Sequence, residues 1–393
     1  MSIKTRFKSA RGQAAARGSH HSGFRLAFRS LSVVLALAMP LAATGSARAG
    51  ELASPYQVAA SALRSGAPAR VICPPPPSIG PDLDLQSPYD PSNYSKLVPA
   101  RVAARKVASA PVEGFLGRVT DLADKAMAAA PPAKTVAQQC LAQWLSTWAQ
   151  GDALLGNVSE PDGRYEREWM ITALGLAFLA AHADDASQRP DAAVQAWFKR
   201  AAAPLPASYR DNAPAKNNHW YWGGLAAVVS GTLTNDRQSY DWGMKQFRLG
   251  IAAIDADGFL PLELKRGEMA LHYHAYSASA LVMMAQFAKA NGELRPAEVT
   301  SLQRLVRRVL AGFADPTPFE GRAAAPQRAL DPSGIRAQSW LEAYYALTRD
   351  PMAEPWLRRF RPMKLTWLGG NQTLAFGLPI AEGPAAASPL IHP

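Results

Sequence analysis

Asn217-Asn-His-Trp-Tyr-Trp-Gly-Gly-Leu-Ala-Ala-Val-Val229 is the stretch around which the rest of the chain is organised. A polar loop precedes it, and an apolar run occupies Trp220 to Val229. An Asn at the point where such a run begins favours a helix N-cap, so Asn218 predicts the start of a helix. The first helical turn also offers unpaired backbone N–H groups to an anion.

Further helices are predicted by apolar residues that recur every three or four positions. Val136, Cys140, Trp144 and Trp148 form one such stripe, and Trp169 to Ala180 is apolar nearly all round, as in an inner helix. The remaining candidates are 190–203, 219–231, 238–255, 267–291, 302–313 and 336–348. Because no strand-like alternation of useful length occurs, the pattern predicts an all-α barrel or solenoid of paired helices.

Residues 1–49 have the order of a secretory signal. Seven basic residues between Lys4 and Arg29 precede the apolar run Leu31 to Met39, and Ala47-Arg-Ala49 provides a small-x-small cleavage site. The run is too short to span a bilayer, although a membrane anchor is the alternative. We therefore expect a periplasmic or secreted protein without a membrane span, with a single domain over 50–380.

The net charge of +11 belongs mostly to this leader. Residues 1–49 contain eight Lys and Arg and no Asp or Glu, so the remainder has 34 basic and 31 acidic residues and a net charge of +3. Overall charge therefore gives no support to a nucleic-acid-binding protein. Attraction for an acidic ligand has to come from locally placed Arg and Lys.

Cys73 and Cys140 are the two cysteines, and export would place both in an oxidising compartment. A disulfide between them is predicted, with two buried thiols as the alternative, because the sequence does not give the distance between their Cα atoms. Neither has a neighbouring His cluster that would form a zinc site, and His272 and His274 diverge on a helix. We expect no metal and no cofactor.

Four segments outside the long helices are predicted from composition. Glu51 to Ser65 predicts a short helix, and four prolines after Cys73 predict a stiff connector. Residues 80–98, rich in Pro, Asp, Ser and Asn, predict a surface loop long enough to serve as a lid, or else a disordered spacer. Residues 381–393 are predicted to be disordered.

A second stretch, Leu264-Lys-Arg-Gly-Glu-Met-Ala-Leu-His-Tyr-His-Ala-Tyr276, complements the first. Arg266 and Tyr273 are seven residues apart, two turns of helix, so both are predicted to project from one face. A surface Arg and a core Tyr are the alternative for this pair. For Asn218 and His219 the alternative is a capped helix beside a satisfied imidazole.

Asn218, His219, Arg266 and Tyr273 together suit the removal of a proton beside a carboxylate. In a uronic-acid polymer the C5 proton is only weakly acidic, so the negative charge of the sugar carboxylate must be offset before a base can remove that proton. A hydrogen bond from Asn218 to the carboxylate would offset the charge. His219 near its normal pKa is a candidate base, and Tyr273 with its pKa lowered by Arg266 is a candidate base, acid or both. A hydrolase would need two carboxylates facing across the bond.

The motifs that extend these two stretches are Trp144-Leu-Ser-Thr-Trp-Ala149, Asn217-Asn-His-Trp-Tyr-Trp222, Asp257-Gly-Phe-Leu-Pro-Leu-Glu263, Lys265-Arg266 and Ala270-Leu-His-Tyr-His274. With them, the chain resembles the alginate lyases of polysaccharide lyase family five over residues 70–375. The resemblance implies an (α/α) toroid, an incomplete barrel of antiparallel helix hairpins. It also implies periplasmic location and metal-independent β-elimination of poly-β-D-mannuronate.

The resemblance further implies roles for the four site residues. Asn218 and His219 match the pair that neutralises the sugar carboxylate and assists proton removal. Arg266 matches a stabilising residue, and Tyr273 matches the general base and acid.

Substrate contacts are implied for five further residues. Tyr165 and Trp169 match a pair of aromatic residues that contact sugar, and Tyr89 matches the tyrosine of a lid loop. Trp148 and Lys265 lie within the matching motifs and are predicted as additional contacts.

Two departures from the family pattern bear on the substrate. Pro88 stands where the lid has a basic residue, and Asp162 stands where a Gln is expected. An acidic side chain there repels a polyanion unless it is protonated or turned away. Some relatives with non-basic lids accept glucuronate-containing polymers, so glucuronan and hyaluronan join mannuronan as candidate substrates.

We therefore predict a monomeric polyuronate lyase whose partner is an acidic polysaccharide and whose products end in a 4,5-unsaturated uronate. A non-catalytic periplasmic protein that binds acidic polysaccharide is one alternative, and it would release no unsaturated product. A glycoside hydrolase on the same toroid is another, and it would release reducing ends without ultraviolet absorbance.

Overall fold

The computed structural model describes residues 50–57, 70–159, 161–185, 188–210, 216–328 and 330–380, except the side chains of residues 93–95. The predicted leader at 1–49 and the predicted tail at 381–393 lie outside these ranges, as does most of the short helix predicted at 51–65. Within 50–57 the chain forms a single 3-10 turn, Pro55–Gln57.

Helices account for most of the structure. The first eight in the described ranges are α1 (Pro99–Ala128), α2 (Pro131–Gln150), α3 (Asp162–Ala181), α4 (Ala192–Ala202), α5 (Leu205–Ser208), α6 (Asn218–Thr234), α7 (Arg237–Ala252) and α8 (Pro261–Leu264). The next seven are α9 (Ala270–Ala290), α10 (Pro296–Ala314), α11 (Thr317–Ala323), α12 (Pro332–Arg336), α13 (Trp340–Thr348), α14 (Glu354–Phe360) and α15 (Gln372–Phe376). Short strands in the same ranges are β1 (Tyr89–Asp90), β2 (Asn93–Leu97), β3 (Lys364–Leu365) and β4 (Gly370–Asn371). The predicted all-α class is therefore confirmed.

The long helices form two layers. α1, α3, α6, α9 and α13 pack side by side as the inner layer. Each outer helix follows an inner one along the chain and packs against it, which gives the hairpins α1–α2, α3–α4, α6–α7 and α9–α10. No helix in the described ranges is both long and apolar enough to cross a membrane.

Burial separates the two layers. In α6 every residue except His219 is buried, whereas α10 buries one apolar side and exposes Arg307 and other polar residues on the other. A helix that is apolar all round must be enclosed, and an amphipathic helix can cover it. The prediction that Trp169 to Ala180 belongs to an inner helix agrees with this arrangement, because α3 is buried on nearly all sides.

α6 and α7 approach each other through glycines. A Cβ on Gly243 would overlap the carbonyl oxygen of Gly224, and a Cβ on Gly224 would overlap the side chain of Gln246. Larger residues at either position would push the two helices apart. Gly224 therefore has a packing role in addition to its place in the sequence after the Asn-Asn-His motif.

The longest helix, α1, was not predicted. No helical stripe was predicted between the proline-rich connector and Val136, because Pro111 interrupts the pattern and the first half of α1 has no apolar face. In the structure Pro99 begins the helix, where its missing N–H costs nothing, and Pro111 lies inside it. Residues from Val112 onward supply the buried face of α1.

The segment predicted as a loop at 80–98 contains β1 and β2, which pair in antiparallel fashion. Its first half is held against the loop before α3, since Leu83 forms a β-bridge with Val158 and the backbone N–H of Leu85 donates to Ser159 Oγ at 2.8 Å. We refer to residues 80–98 as the lid segment. Its predicted role as a lid stays a prediction.

The first described residues are held at the C-terminal ends of two inner helices. The N–H of Leu52 donates to Asn235 Oδ1 and that of Ala53 to Asn291 Oδ1, each at 2.9 Å. Asn235 is the left-handed C-cap of α6, and Asn291 is the C-cap of α9. Tyr56 follows and is buried against Phe376.

Cys73 and Cys140 are joined by a disulfide with a Cα–Cα distance of 5.6 Å. It ties the proline-rich connector to α2, and Trp144 Nε1 donates to the carbonyl of Pro74 at 3.1 Å beside it. The connector therefore has a covalent and a hydrogen-bonded attachment to the outer layer.

Replacing both cysteines by Ala should lower the stability of the fold. The disulfide closes a loop of 67 residues, and the entropy that it removes from the unfolded chain corresponds to about 4 kcal/mol. Urea unfolding of the double variant, compared with wild-type protein with and without reductant, measures the difference. A loss below about 1 kcal/mol would contradict a stabilising role for this cross-link.

Candidate active site

A cavity of about 520 Å³ lies where α3, α6 and α9 begin. Its walls come from the lid segment, α1, these three helix N-termini and the segment after α14. The lining residues are Ser87, Pro88, Tyr89, Arg105, Glu113, Pro161, Asp162, Tyr165, Glu166, Trp169, Asn217, His219, Arg266, His272, Tyr273, Tyr276 and Trp367. Three helix N-termini at one cavity favour a negatively charged ligand, because each carries a partial positive charge.

His219 is placed in the wall by the cap of α6. Asn217 is the N-cap, and its side chain accepts a hydrogen bond from the N–H of His219 at 3.2 Å. The prediction that Asn218 caps the helix is therefore wrong by one residue. The His219 ring stacks on Tyr165 at 3.7 Å between centroids, and its Nδ1 has no hydrogen-bond partner among the described residues.

Asn218 does not line the cavity. It is wholly buried, its N–H donates to Glu263 Oε1 at 2.7 Å, and its Nδ2 donates to Glu263 Oε2 at 2.8 Å. One N–H of the amide is therefore paired with Glu263, and the amide oxygen has no hydrogen-bond partner among the described residues. Glu263 thus fixes the first turn of α6 and the orientation of the Asn218 amide.

Arg266 and Tyr273 meet, although they do not share a helix as predicted. Arg266 precedes a 3-10 turn, Gly267–Met269, and Tyr273 lies in the first turn of α9. The guanidinium carbon lies 3.8 Å from the centroid of the Tyr273 ring, over its face. The Tyr273 hydroxyl is 3.1 Å from that of Tyr89, so the lid segment contacts the predicted catalytic phenol directly.

Two predicted pKa values are wrong. Burial, assisted by Arg266 and Arg164, lowers the pKa of His219 to about 3, so its imidazole is neutral instead of half-protonated near pH 6.5. Burial also raises the pKa of Tyr273 above its usual value, and the neighbouring Tyr89 raises it further. Arg266 does lower the pKa of Tyr273, but it contacts the ring face, and its effect is smaller than that of burial.

The predicted sugar contacts divide into two groups. Tyr89, Tyr165 and Trp169 line the cavity. Trp148 does not, because it points from α2 into the core and stacks on Phe115 at 3.6 Å. Lys265 does not either, because it is exposed after α8.

Several cavity residues were not predicted as site residues. Arg105 and Glu113 belong to α1, the helix that the sequence did not reveal, and Trp367 comes from the segment after α14. Glu166 lies between the two predicted aromatic residues of α3 and gave no separate signal. The i, i+4 spacing of Asp162 and Glu166 was the one available sign that both face the cavity.

A buried network lies behind Tyr165. Glu168 is 1% exposed, and it accepts hydrogen bonds from Tyr209 at 2.6 Å and from Arg164 at 3.0 Å. The Arg164 guanidinium lies 4.5 Å from the Tyr165 ring centroid. The network supports the ring that stacks on His219.

Within the part of the chain that the structure describes, no group of three or more His, Cys, Asp or Glu side chains is arranged to hold a metal ion.

Comparisons with known sequences agree on one family. A sequence profile of the family Alginate lyase matches residues 89–319. A polysaccharide lyase of Stenotrophomonas maltophilia strain K279a is 34% identical over 316 residues, which cover 79% of this chain and 93% of that protein. An alginate lyase of Pseudomonas fluorescens strain Pf-5 is 36% identical over 246 residues, which cover 60% of this chain and 66% of that protein.

Comparison with solved structures identifies the fold. Alginate lyase A1-III from Sphingomonas species A1 superposes with a TM-score of 0.64 at 23% identity, covering 81% of this chain and 90% of that one. A tetrasaccharide complex of a variant of alginate lyase A1-III gives a TM-score of 0.65 at 20% identity, covering 83% and 90%. That lyase is an α/α toroid, so the predicted toroid is confirmed.

Replacing Glu263 by Gln should destabilise the protein by about 1 to 3 kcal/mol, because a carboxamide offers one acceptor to the two donors of Asn218. Glu268→Gln is the control, since Glu268 is partly exposed and pairs only with the exposed Arg328 among the ion pairs described. Urea unfolding of both variants gives the difference. Equal stability of the two would show that the Asn218–Glu263 contact contributes nothing.

His219 should remain neutral well below the usual range of histidine. With its pKa near 3, the ring nitrogens should show no titration between pH 8 and pH 5. Heteronuclear spectra of the imidazole groups, with the signals assigned by His219→Gln, measure this directly. A midpoint near 6.5 would show that burial does not control this residue.

Proposed function

The chain belongs to the alginate lyase family of polysaccharide lyases, and we propose that it cleaves poly-β-D-mannuronate and related polyuronates by β-elimination without a metal ion. The product would carry a 4,5-unsaturated uronate at its new non-reducing end. The observation that supports this most is the joint presence of His219, Arg266 and Tyr273 in one cavity wall. Export to the periplasm or the medium is part of the proposal, on the basis of the sequence at 1–49.

The reaction requires that the charge of the sugar carboxylate be offset before C5 loses its proton. Arg266 is the cation beside Tyr273, and the first turn of α6 supplies a helix N-terminus at His219. In a site that excludes water such groups act more strongly than in solution. Asn218 is buried outside the cavity lining and its amide is oriented toward Glu263, so we assign the masking of charge to Arg266 and the helix N-terminus first.

The geometry suggests a division of the proton transfers between two side chains of the cavity wall. The Nδ1 atom of His219 has no hydrogen-bond partner among the described residues, and burial keeps the ring neutral, so it can accept a proton although its low pKa makes it a weak base. The hydroxyl of Tyr273 lines the same cavity and keeps its proton, because burial raises its pKa. We propose His219 as the base that takes the C5 proton and Tyr273 as the acid that protonates the oxygen leaving C4.

A glycoside hydrolase is the second candidate, because the cavity also contains Glu113, Asp162 and Glu166. A raised pKa, about 7 for Glu166, is typical of a general acid. However, Asp162 and Glu166 lie on the same face of α3 and bind the same guanidinium, that of Arg105. Hydrolysis needs carboxylates on opposite sides of the bond, so the geometry favours the lyase.

Tyr273→Phe should lower kcat on mannuronan by about two to four orders of magnitude, the usual contribution of a positioned proton donor. The measurement is the ultraviolet absorbance of the conjugated product. Tyr240→Phe is the matched control, because Tyr240 is a buried tyrosine of α7 outside the cavity.

The same assay separates the alternatives. Unchanged turnover in Tyr273→Phe would remove the phenol from the mechanism. Reducing ends without absorbance would identify a hydrolase, and affinity for the polymer without any product would identify a binding protein.

A further inference from the structure

One wall of the cavity carries acidic side chains, which the binding of a polyanion does not require. α3 contributes Asp162, Tyr165, Glu166 and Trp169, whose i, i+3, i+4 and i+7 spacing places all four on one face of the helix. We call these four residues the α3 wall. It presents two carboxylates and two aromatic rings in alternation to a ligand.

The carboxylates of the α3 wall share one guanidinium. Arg105 of α1 lies 3.3 Å from Asp162 Oδ1 and 2.7 Å from Glu166 Oε2. Glu113, two turns further along α1, lines the same cavity and adds a third carboxylate. Three carboxylates beside one guanidinium give this region a negative potential when they are ionised, and that potential repels a sugar carboxylate.

Glu166 is the most enclosed carboxylate of the α3 wall. Its side chain is 2% exposed, and Oε2 is bound by Arg105, whereas the enclosed Oε1 has no hydrogen-bond partner among the described residues. A buried carboxylate with one oxygen unpaired is incompletely compensated, and this favours a positively charged group on the cavity side of the wall.

Aromatic rings frame these carboxylates. Trp169 and Trp367 meet edge to face with centroids 5.5 Å apart, and both line the cavity together with Tyr165. Sugar rings pack on such surfaces, and the face of an aromatic ring attracts a cation. Carboxylates between aromatic rings are the chemistry that recognises an ammonium group.

We propose that the α3 wall, with Arg105, Glu113 and Trp367, is a subsite for a hexosamine with a free amino group, next to the uronate that is cut. The proposal rests on the proposed lyase function, in which Arg266 and Tyr273 bind that uronate. Such a subsite makes polymers that alternate uronates with N-unsubstituted hexosamines better substrates than the N-acetylated forms of the same polymers. A uronate in the same subsite places its carboxylate beside three others and binds less well.

The test compares one polymer before and after removal of its acetyl groups. A polymer that alternates glucuronate with N-acetylglucosamine keeps its uronates after N-deacetylation and gains ammonium groups. We expect kcat/KM of the wild-type protein to be about tenfold higher on the deacetylated polymer, the gain of one charged contact in a partly desolvated site. Equal values on both polymers, or a preference for the acetylated one, would overturn the proposal.

Two variants assign the preference to the α3 wall. Asp162→Asn and Glu166→Gln should each reduce the ratio of the two kcat/KM values toward one, and each should raise kcat/KM on mannuronan by removing a repulsive charge. Asp241→Asn is the control, because Asp241 is an exposed carboxylate of α7 that does not line the cavity. A ratio that stays at its wild-type value in both cavity variants would place the preference elsewhere and overturn the assignment.

Binding without turnover keeps the two proposals apart. Titration calorimetry with a glucosamine tetramer and an N-acetylglucosamine tetramer measures the subsite even if no polymer is cut. Tighter binding of the glucosamine tetramer, lost in Asp162→Asn, supports the subsite, and equal binding of the two tetramers overturns it. Absence of unsaturated product from every polymer would instead reject the lyase function.

Discussion

The enclosure of α6 is the constraint on which the other features depend. A helix whose residues are buried on all sides must be surrounded, and α3, α4, α7 and α9 surround it. Its first N–H groups still need partners, which Asn217 and Glu263 supply. His219 is the one residue of α6 that is not buried, and it lies at the point where the enclosure opens into the cavity. The packing that encloses α6 therefore also places the His219 imidazole at the cavity.

The same burial determines the electrostatics of the cavity. It keeps His219 neutral and Tyr273 protonated, and it raises the pKa of Glu166 and Glu168 to about 7. Arg105 and Arg266 both line the cavity, but Arg105 bridges carboxylates whereas Arg266 lies over a phenol ring. The two guanidinium groups thus have different neighbours in the same cavity: those of Arg105 are carboxylates, and that of Arg266 is an aromatic ring.

Much of the architecture could be predicted from the sequence, because helix periodicity is a local property. Most ends of α6, α9 and α10 were predicted to within a few residues. α1 was missed because Pro111 interrupts a weak pattern. The nearness of Arg266 and Tyr273 was predicted for a reason that the structure corrects, since the two side chains meet across a 3-10 turn. The pKa shifts could not be predicted, because they depend on burial and on Tyr89, which is 184 residues away along the chain.

The attachment of Leu52 and Ala53 to the C-caps of α6 and α9 has a practical consequence. α6 is 17 residues long, so these contacts lie about 25 Å along its axis from the turn that carries His219. A tether joined to the chain just before residue 50 would therefore leave the molecule at the end of the barrel remote from the cleft. Protein immobilised on a bead or a sensor chip through that point would turn its cleft toward the flowing polymer.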